Sequence, residues 1–87
     1  MRQVEIYTRV LCAYCHRAKK LLGAKNVPFV EYDVTMDAEK RREMVARSGG
    51  RTTMPQIFVG GEHVGDSEEL LRLEREGRLD RILKEAS

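Results

Sequence analysis

Tryptophan is absent from this chain, and only two cysteines and two prolines occur in its 87 residues. The cysteines stand three positions apart, so a disulfide between them would close a loop too small to remove much unfolded-state entropy. A structural staple is therefore a poor reading, and redox or metal chemistry remains. No stretch approaches the ~20 apolar residues that a membrane-spanning helix needs. The start, Met1-Arg2-Gln3-Val4-Glu5, has no apolar run behind its positive charge, so a secretory signal is not expected either. These features predict a cytoplasmic chain, where a cysteine pair is normally reduced and any disulfide is transient and functional. A formal net charge of +2 is too small to argue for nucleic acid. The charges are mixed in sign along the helical stretches, as on solvated faces. No repeat, linker or low-complexity segment interrupts residues 1–87, which read as one domain with a modest core.

What is present is well patterned. Val4, Ile6 and Thr8 alternate with Glu5 and Tyr7, which predicts a strand over residues 2–8. From Tyr14 the period lengthens: Cys15, Ala18, Leu21 and Leu22 share one face, and His16, Arg17, Lys19 and Lys20 another, an amphipathic helix ending near Gly23 to Asn26. Phe29 to Val34 is a second strand, and Asp37 caps a helix that runs through Met44 and stops at Gly49-Gly50. Strand, helix, strand implies a parallel pair with a right-handed crossover. Ile57-Phe58-Val59, Gly60-Gly61 and Glu62-His63-Val64 spell a hairpin. Ser67 is read as the cap of a third helix carrying Leu70, Leu71 and Leu73, and Leu79, Ile82 and Leu83 form a short last one. The expected fold is α/β, β-α-β-α-β-β-α plus a short C-terminal helix, with a four-stranded mixed sheet flanked by helices.

Cys12-Ala13-Tyr14-Cys15 lies between the first strand and the first helix. Residues three apart on a helix are neighbours, and a slightly tightened turn brings their sulfurs within bonding reach. The free amides and positive dipole end of a helix favour an anion, and for cysteine that is the nucleophilic thiolate. C-x-x-C beside a βαβ pattern thus reads as a thiol–disulfide exchange site, with Cys12 attacking and Cys15 resolving. Cys12 to His16 also matches the c-type haem attachment signal, but that reading needs an exported chain. A four-ligand zinc site would have to recruit His63 from a distant strand, so no metal is expected.

The remaining candidates are ambiguous on residues alone. Base rates favour a trans Met54-Pro55 bond. The Ser67-Glu68-Glu69 helix start could hold a carboxylate, but on residues alone it reads first as an ordinary cap. Arg9 and Arg51 could face an acidic ligand or simply solvent.

Taken together, Tyr7-Thr8-Arg9, Cys12 to His16, Thr53-Met54-Pro55-Gln56-Ile57-Phe58-Val59 and His63-Val64-Gly65 resemble a glutaredoxin of the small bacterial dithiol type, over essentially the whole chain. The resemblance implies a thioredoxin fold with a cis Met54-Pro55 bond and a groove for glutathione as reductant. By position, Arg9, Arg51 and Gln56 would hold the glycine carboxylate, and the Met54 backbone would pair with the cysteine residue of glutathione. Thr53 and Pro55 would complete that wall and Tyr14 would line the groove. The amides of Ser67 and Glu68 would take the γ-glutamyl carboxylate, with Asp66 close by. The implied partners are disulfide-containing or glutathionylated proteins, ribonucleotide reductase or a sulfur-assimilation reductase among them, met by a monomer.

Three positions depart from the family pattern. Ala13 replaces a proline, Gly65-Asp66-Ser67 stands where Gly-Gly and often cysteine are seen, and Glu68 replaces aspartate. The alternative function is a carrier of a [2Fe–2S] cluster bridging two subunits with two glutathiones. Members specialised for it generally have one cysteine followed by glycine, whereas Cys15 is present here. A thioredoxin proper would carry tryptophan beside the cysteines.

Overall fold

A computed structural model describes residues 1–85. The sheet is built from β1 (Val4–Thr8), β2 (Val30–Asp33), β3 (Gln56–Val59) and β4 (Glu62–Gly65), in the order β2-β1-β3-β4. β1 runs parallel to β2, with Glu5 opposite Val30 and Thr8 opposite Asp33, and antiparallel to β3, with Val4 opposite Val59 and Tyr7 opposite Gln56. The helices are α1 (Ala13–Ala24), α2 (Ala38–Arg47), α3 (Ser67–Arg75) and α4 (Leu79–Lys84). The mixed sheet and helix order expected from the residues is the one observed, and the fold is thioredoxin-like.

The alternation in β1 sorts its side chains between two cores, because successive residues of a strand face opposite sides. Val4 and Ile6 join Ile57 and Val59 on one face, where Ala18 and Leu22 of α1, Leu70 of α3, and Leu79 and Leu83 of α4 cover them. Tyr7 and Phe58 point to the other face and meet Val34 and Met44 of α2. Each fully buried aliphatic side chain here contributes about 1.5–3 kcal/mol by leaving water. The second face also holds an ionic pair. Arg47 forks onto Glu5 at 2.9 and 3.2 Å, donates to the Tyr7 hydroxyl at 2.7 Å, and lies 4.2 Å above the Phe58 ring. That ion pair fixes α2 against β1.

Two turns follow directly from glycine. Gly60 and Gly61 both have positive φ, 59° and 83°, as a two-residue hairpin requires. Gly65 has φ 132°, and a Cβ there would run into the Glu69 carboxylate, so a side chain at 65 is strained and pushes that carboxylate off the Asp66 N–H. Ser67 is not the cap of α3. Asp66 is: its Oδ1 accepts from the Glu69 N–H at 3.0 Å while Glu69 Oε1 accepts from the Asp66 N–H at 2.9 Å. This reciprocal box satisfies two donors at once, one more than a lone serine cap can. The Asp-x-x-Glu spacing is its signal in the sequence. No helix among the described residues is long and apolar enough to cross a membrane.

Candidate functional site

β1 delivers the chain to the top of α1, where Cys12 is the N-cap in extended conformation. Its Sγ accepts the Cys15 N–H at 3.1 Å, and its carbonyl accepts the first helical bond from His16 at 3.1 Å. A backbone donor is thus aimed at the sulfur. Cys12 is half-buried and Cys15 is buried, and the two are unbonded. Burial, then the neighbouring Cys12 sulfur, push the Cys15 thiol up to about 12. One sulfur is thus presented and the other is kept as a protonated thiol behind it.

The Cys12 Sγ also lies 3.8 Å from the carbonyl of Met54. The Met54–Pro55 bond is cis, contrary to the base-rate expectation and as the family resemblance implied. Here begins a groove of about 570 Å³, inside the ~300–1,000 Å³ range of small-molecule sites. Arg9 and Tyr14 form one wall, Thr52 to Pro55 the floor, and Asp66, Ser67 and Glu68 the far wall. The far wall is the start of α3, whose amides point out of the helix. Ser67 Oγ is buried there with no partner.

Seven of the residues singled out from the sequence as ligand contacts, together with Asp66, therefore border one groove beside Cys12. Arg51 and Gln56 do not. Arg51 turns to the α3 cap, reaching Glu69 at 2.9 Å and Asp66 at 3.2 Å. Gln56 is wholly buried on the α2 side of the sheet. Its amide donates to the Thr53 carbonyl at 3.0 Å and the Thr53 hydroxyl at 3.3 Å, and its oxygen meets His63 Nε2 at 2.6 Å. Since the Gln56 nitrogen is spent on Thr53, its oxygen must accept and His63 Nε2 carries the proton. Burial, then the nearby Arg51 charge, hold the His63 imidazole below its usual range, which keeps it neutral.

Arg41 of α2 also borders the groove, and sequence reasoning missed it. In sequence it is one cation in the run Lys40-Arg41-Arg42 on a solvated helix face, and only the packing of α2 distinguishes it from its neighbours. With Arg9 it puts two cations at the groove, opposite the acidic residues around the α3 start. That charge distribution suits a zwitterion with a carboxylate at one end and an ammonium group at the other.

Comparison with known proteins agrees with this geometry. Residues 4–64 match the glutaredoxin family model. Glutaredoxin 3 of Escherichia coli K12 is 51% identical over 84 residues, covering 97% of this chain and all of that protein. The solution structure of a glutaredoxin from Brucella melitensis superposes with a TM-score of 0.84 at 52% identity, covering 97% of this chain and 90% of that one. A buckwheat glutaredoxin–glutathione complex shares the fold, with a TM-score of 0.84 at 22% identity over 94% of this chain and 76% of that one. A presented sulfur at a helix cap, a protonated partner behind it and a cis-proline groove at its side are what thiol–disulfide exchange requires, and with these likenesses they establish that the chain belongs to the glutaredoxin family of thiol–disulfide oxidoreductases.

Proposed function

We propose that the chain is a glutathione-dependent reductase of protein disulfides and glutathione mixed disulfides, acting as a monomeric single domain in the cytoplasm. The observation that carries this reading is the Cys12 sulfur, held by the Cys15 amide and set against a groove with cations at one end and free helix amides at the other. Glutathione, a co-substrate, fits the groove's charges. Arg9 and Arg41 face its glycine carboxylate, the Met54 backbone pairs with its central peptide as an added strand would, and the amides of Ser67 and Glu68 take the γ-glutamyl carboxylate. The unpartnered Ser67 hydroxyl supplies a further donor.

With a glutathionylated protein, the Cys12 thiolate attacks the glutathione sulfur. The S–S bond breaks, the protein leaves as a thiolate that takes up a proton, and Cys12 is left bonded to glutathione. The thiolate of a second glutathione attacks that glutathione sulfur, releasing glutathione disulfide and returning Cys12 as a thiolate. With a protein disulfide, Cys12 attacks one sulfur, and Cys15 then attacks Cys12 while giving its proton to the departing sulfur. Two glutathiones reduce the resulting Cys12–Cys15 bond. In both branches the leaving group and access to the sulfur set the rate.

The test is a glutathione-coupled assay on a small mixed disulfide and on a protein disulfide, run with Cys12→Ser and Cys15→Ser. Cys12→Ser abolishes both activities. Cys15→Ser keeps the first and loses the second. Equal loss in the two variants overturns the assignment of roles, and turnover that does not depend on glutathione overturns the reading itself.

A further inference from the structure

Three apolar side chains in the turns that follow β1 and β2 are left in water: Leu11 is 98% exposed, Met36 95% and Val10 52%. They come from two segments tied together, because the Val10 N–H donates to Thr35 Oγ1 at 2.9 Å. The bond holds the Val10-Leu11 loop against the Thr35-Met36 turn. None of the three borders the glutathione groove, so they form a surface apart from it, with Leu11 next to Cys12 in the chain. Leu11 also sits at φ 53°, in the left-handed region that costs a non-glycine residue on the order of 1 kcal/mol. Nothing in the packing repays a leucine held there in solvent.

On the α1 side of this patch the charge has one sign, whereas Asp33 and Asp37 flank the Thr35-Met36 turn. From Ile6 to Val30 the chain carries five cations and no carboxylate. Lys19 pairs with Glu31, and Lys25 with Glu74 and Asp80. Among the described residues Arg9, Arg17 and Lys20 have no carboxylate partner. Arg17 instead lies 5.4 Å over the exposed Tyr14 ring, on the first turn of α1.

We infer that Val10, Leu11 and Met36 are a docking surface for the polypeptide substrate. It takes an apolar side chain next to the oxidised cysteine, and acidic residues farther along that segment meet Arg17 and Lys20. This rests on the reductase reading above and specifies its protein substrate. A second copy of the chain is the poorer occupant. Three side chains fall short of the ~1,200–2,000 Å² that stable interfaces bury.

The experiment compares two substrates across three proteins. One substrate is the mixed disulfide of glutathione with 2-mercaptoethanol. The other is a glutathionylated peptide with leucine beside its cysteine and three glutamates beyond it. The proteins are the wild type, Leu11→Asn, and Leu11→Asn with Met36→Ser; asparagine tolerates the left-handed backbone, so the loop is kept. The double variant lowers kcat/KM for the peptide about tenfold, mainly through KM, as expected when two apolar side chains are no longer there to cover the peptide leucine. It leaves the small disulfide unchanged. Replacing the peptide glutamates by glutamine also slows the wild type. Equal loss on both substrates, or no loss on the peptide, overturns the docking surface. A wild-type dimer in sedimentation that the double variant dissolves reassigns the patch to a second copy and overturns it too. Failure of the wild type to turn over the small disulfide instead overturns the reductase reading, and the docking surface with it.

Discussion

One guanidinium, that of Arg51, reaches the Glu69 carboxylate at 2.9 Å and the Asp66 carboxylate at 3.2 Å. It thereby joins the loop entering β3 to the capping box of α3, which are the floor and far wall of the groove. The pairs are about one-third exposed, and exposed ion pairs contribute only ~0–1 kcal/mol each. Arg51→Ala is expected to lower Tm by a few degrees and to raise KM for glutathione several-fold with kcat nearly intact. A fall in kcat with unchanged KM would show that Arg51 does not set the spacing of the walls. Arg51→Lys keeps the charge but loses the fork, and falls between.

Arg41 and Arg51 make opposite predictions about stability. Arg41 borders the groove and has no carboxylate partner among the described residues. Arg41→Ala should leave thermal unfolding unchanged and raise KM for glutathione, by an amount that shrinks as salt is added. Thermal destabilisation matching that of Arg51→Ala would place it in the scaffold instead.

The thiol of Cys15 is pushed up to about 12 by burial and by its neighbour, so it stays protonated throughout the neutral range. Iodoacetamide added to the reduced protein between about pH 7 and 9 should therefore modify one sulfur, Cys12, as mass analysis of the peptides would show. Equal labelling of both within that neutral range would contradict the burial.

Gln56 joins the groove floor to the hairpin through Thr53 and His63. Gln56→Leu leaves the Thr53 hydroxyl and the His63 Nε2–H without their partner inside the protein, at a cost of about 1–3 kcal/mol. The expected reading is a lower Tm and a raised KM for glutathione. The neutral state of His63 adds a pH dependence. Its folded value lies below the ordinary 6.5, so as pH falls below that value the unfolded chain takes up the proton first and stability drops. Urea unfolding at about pH 5 and pH 7 tests this, with His63→Phe expected to lose part of the difference.

The ion pair under α2 is a further target. Hydrogen bonds from Arg47, and to a lesser degree from Tyr32, hold the Glu5 carboxyl below its usual 4.5 despite partial burial. Its stabilisation is therefore full above that value and fades as pH falls through the depressed one. Arg47→Met strands Glu5 and should cost about 1–3 kcal/mol, between the exposed and fully buried cases, because the pair is only partly buried. Adding Glu5→Leu should restore much of the loss, which denaturant unfolding of the single and double variants will show.

The period-two run at Val4, Ile6 and Thr8 and the cysteine spacing make β1, α1 and their junction legible, because both patterns are local. The α3 cap lies one residue before the expected serine, since serine and aspartate are nearly equal caps and only the partner three positions on separates them. Arg41 and Gln56 show the limit more sharply. A surface cation on an amphipathic helix and a glutamine in a strand carry no local mark of what they face. Arg41 is brought to the groove by the packing of α2. Gln56 is turned away from it because residue 56 shares the side of β3 that carries Phe58.

Placing Cys15 inside has a consequence for traffic through the site. An oxidant or a bulky partner finds a single atom to engage, and the interior sulfur enters only after that engagement, from behind. The order of events follows from depth: a stray peroxide meets the front sulfur first, and the one behind it is shielded.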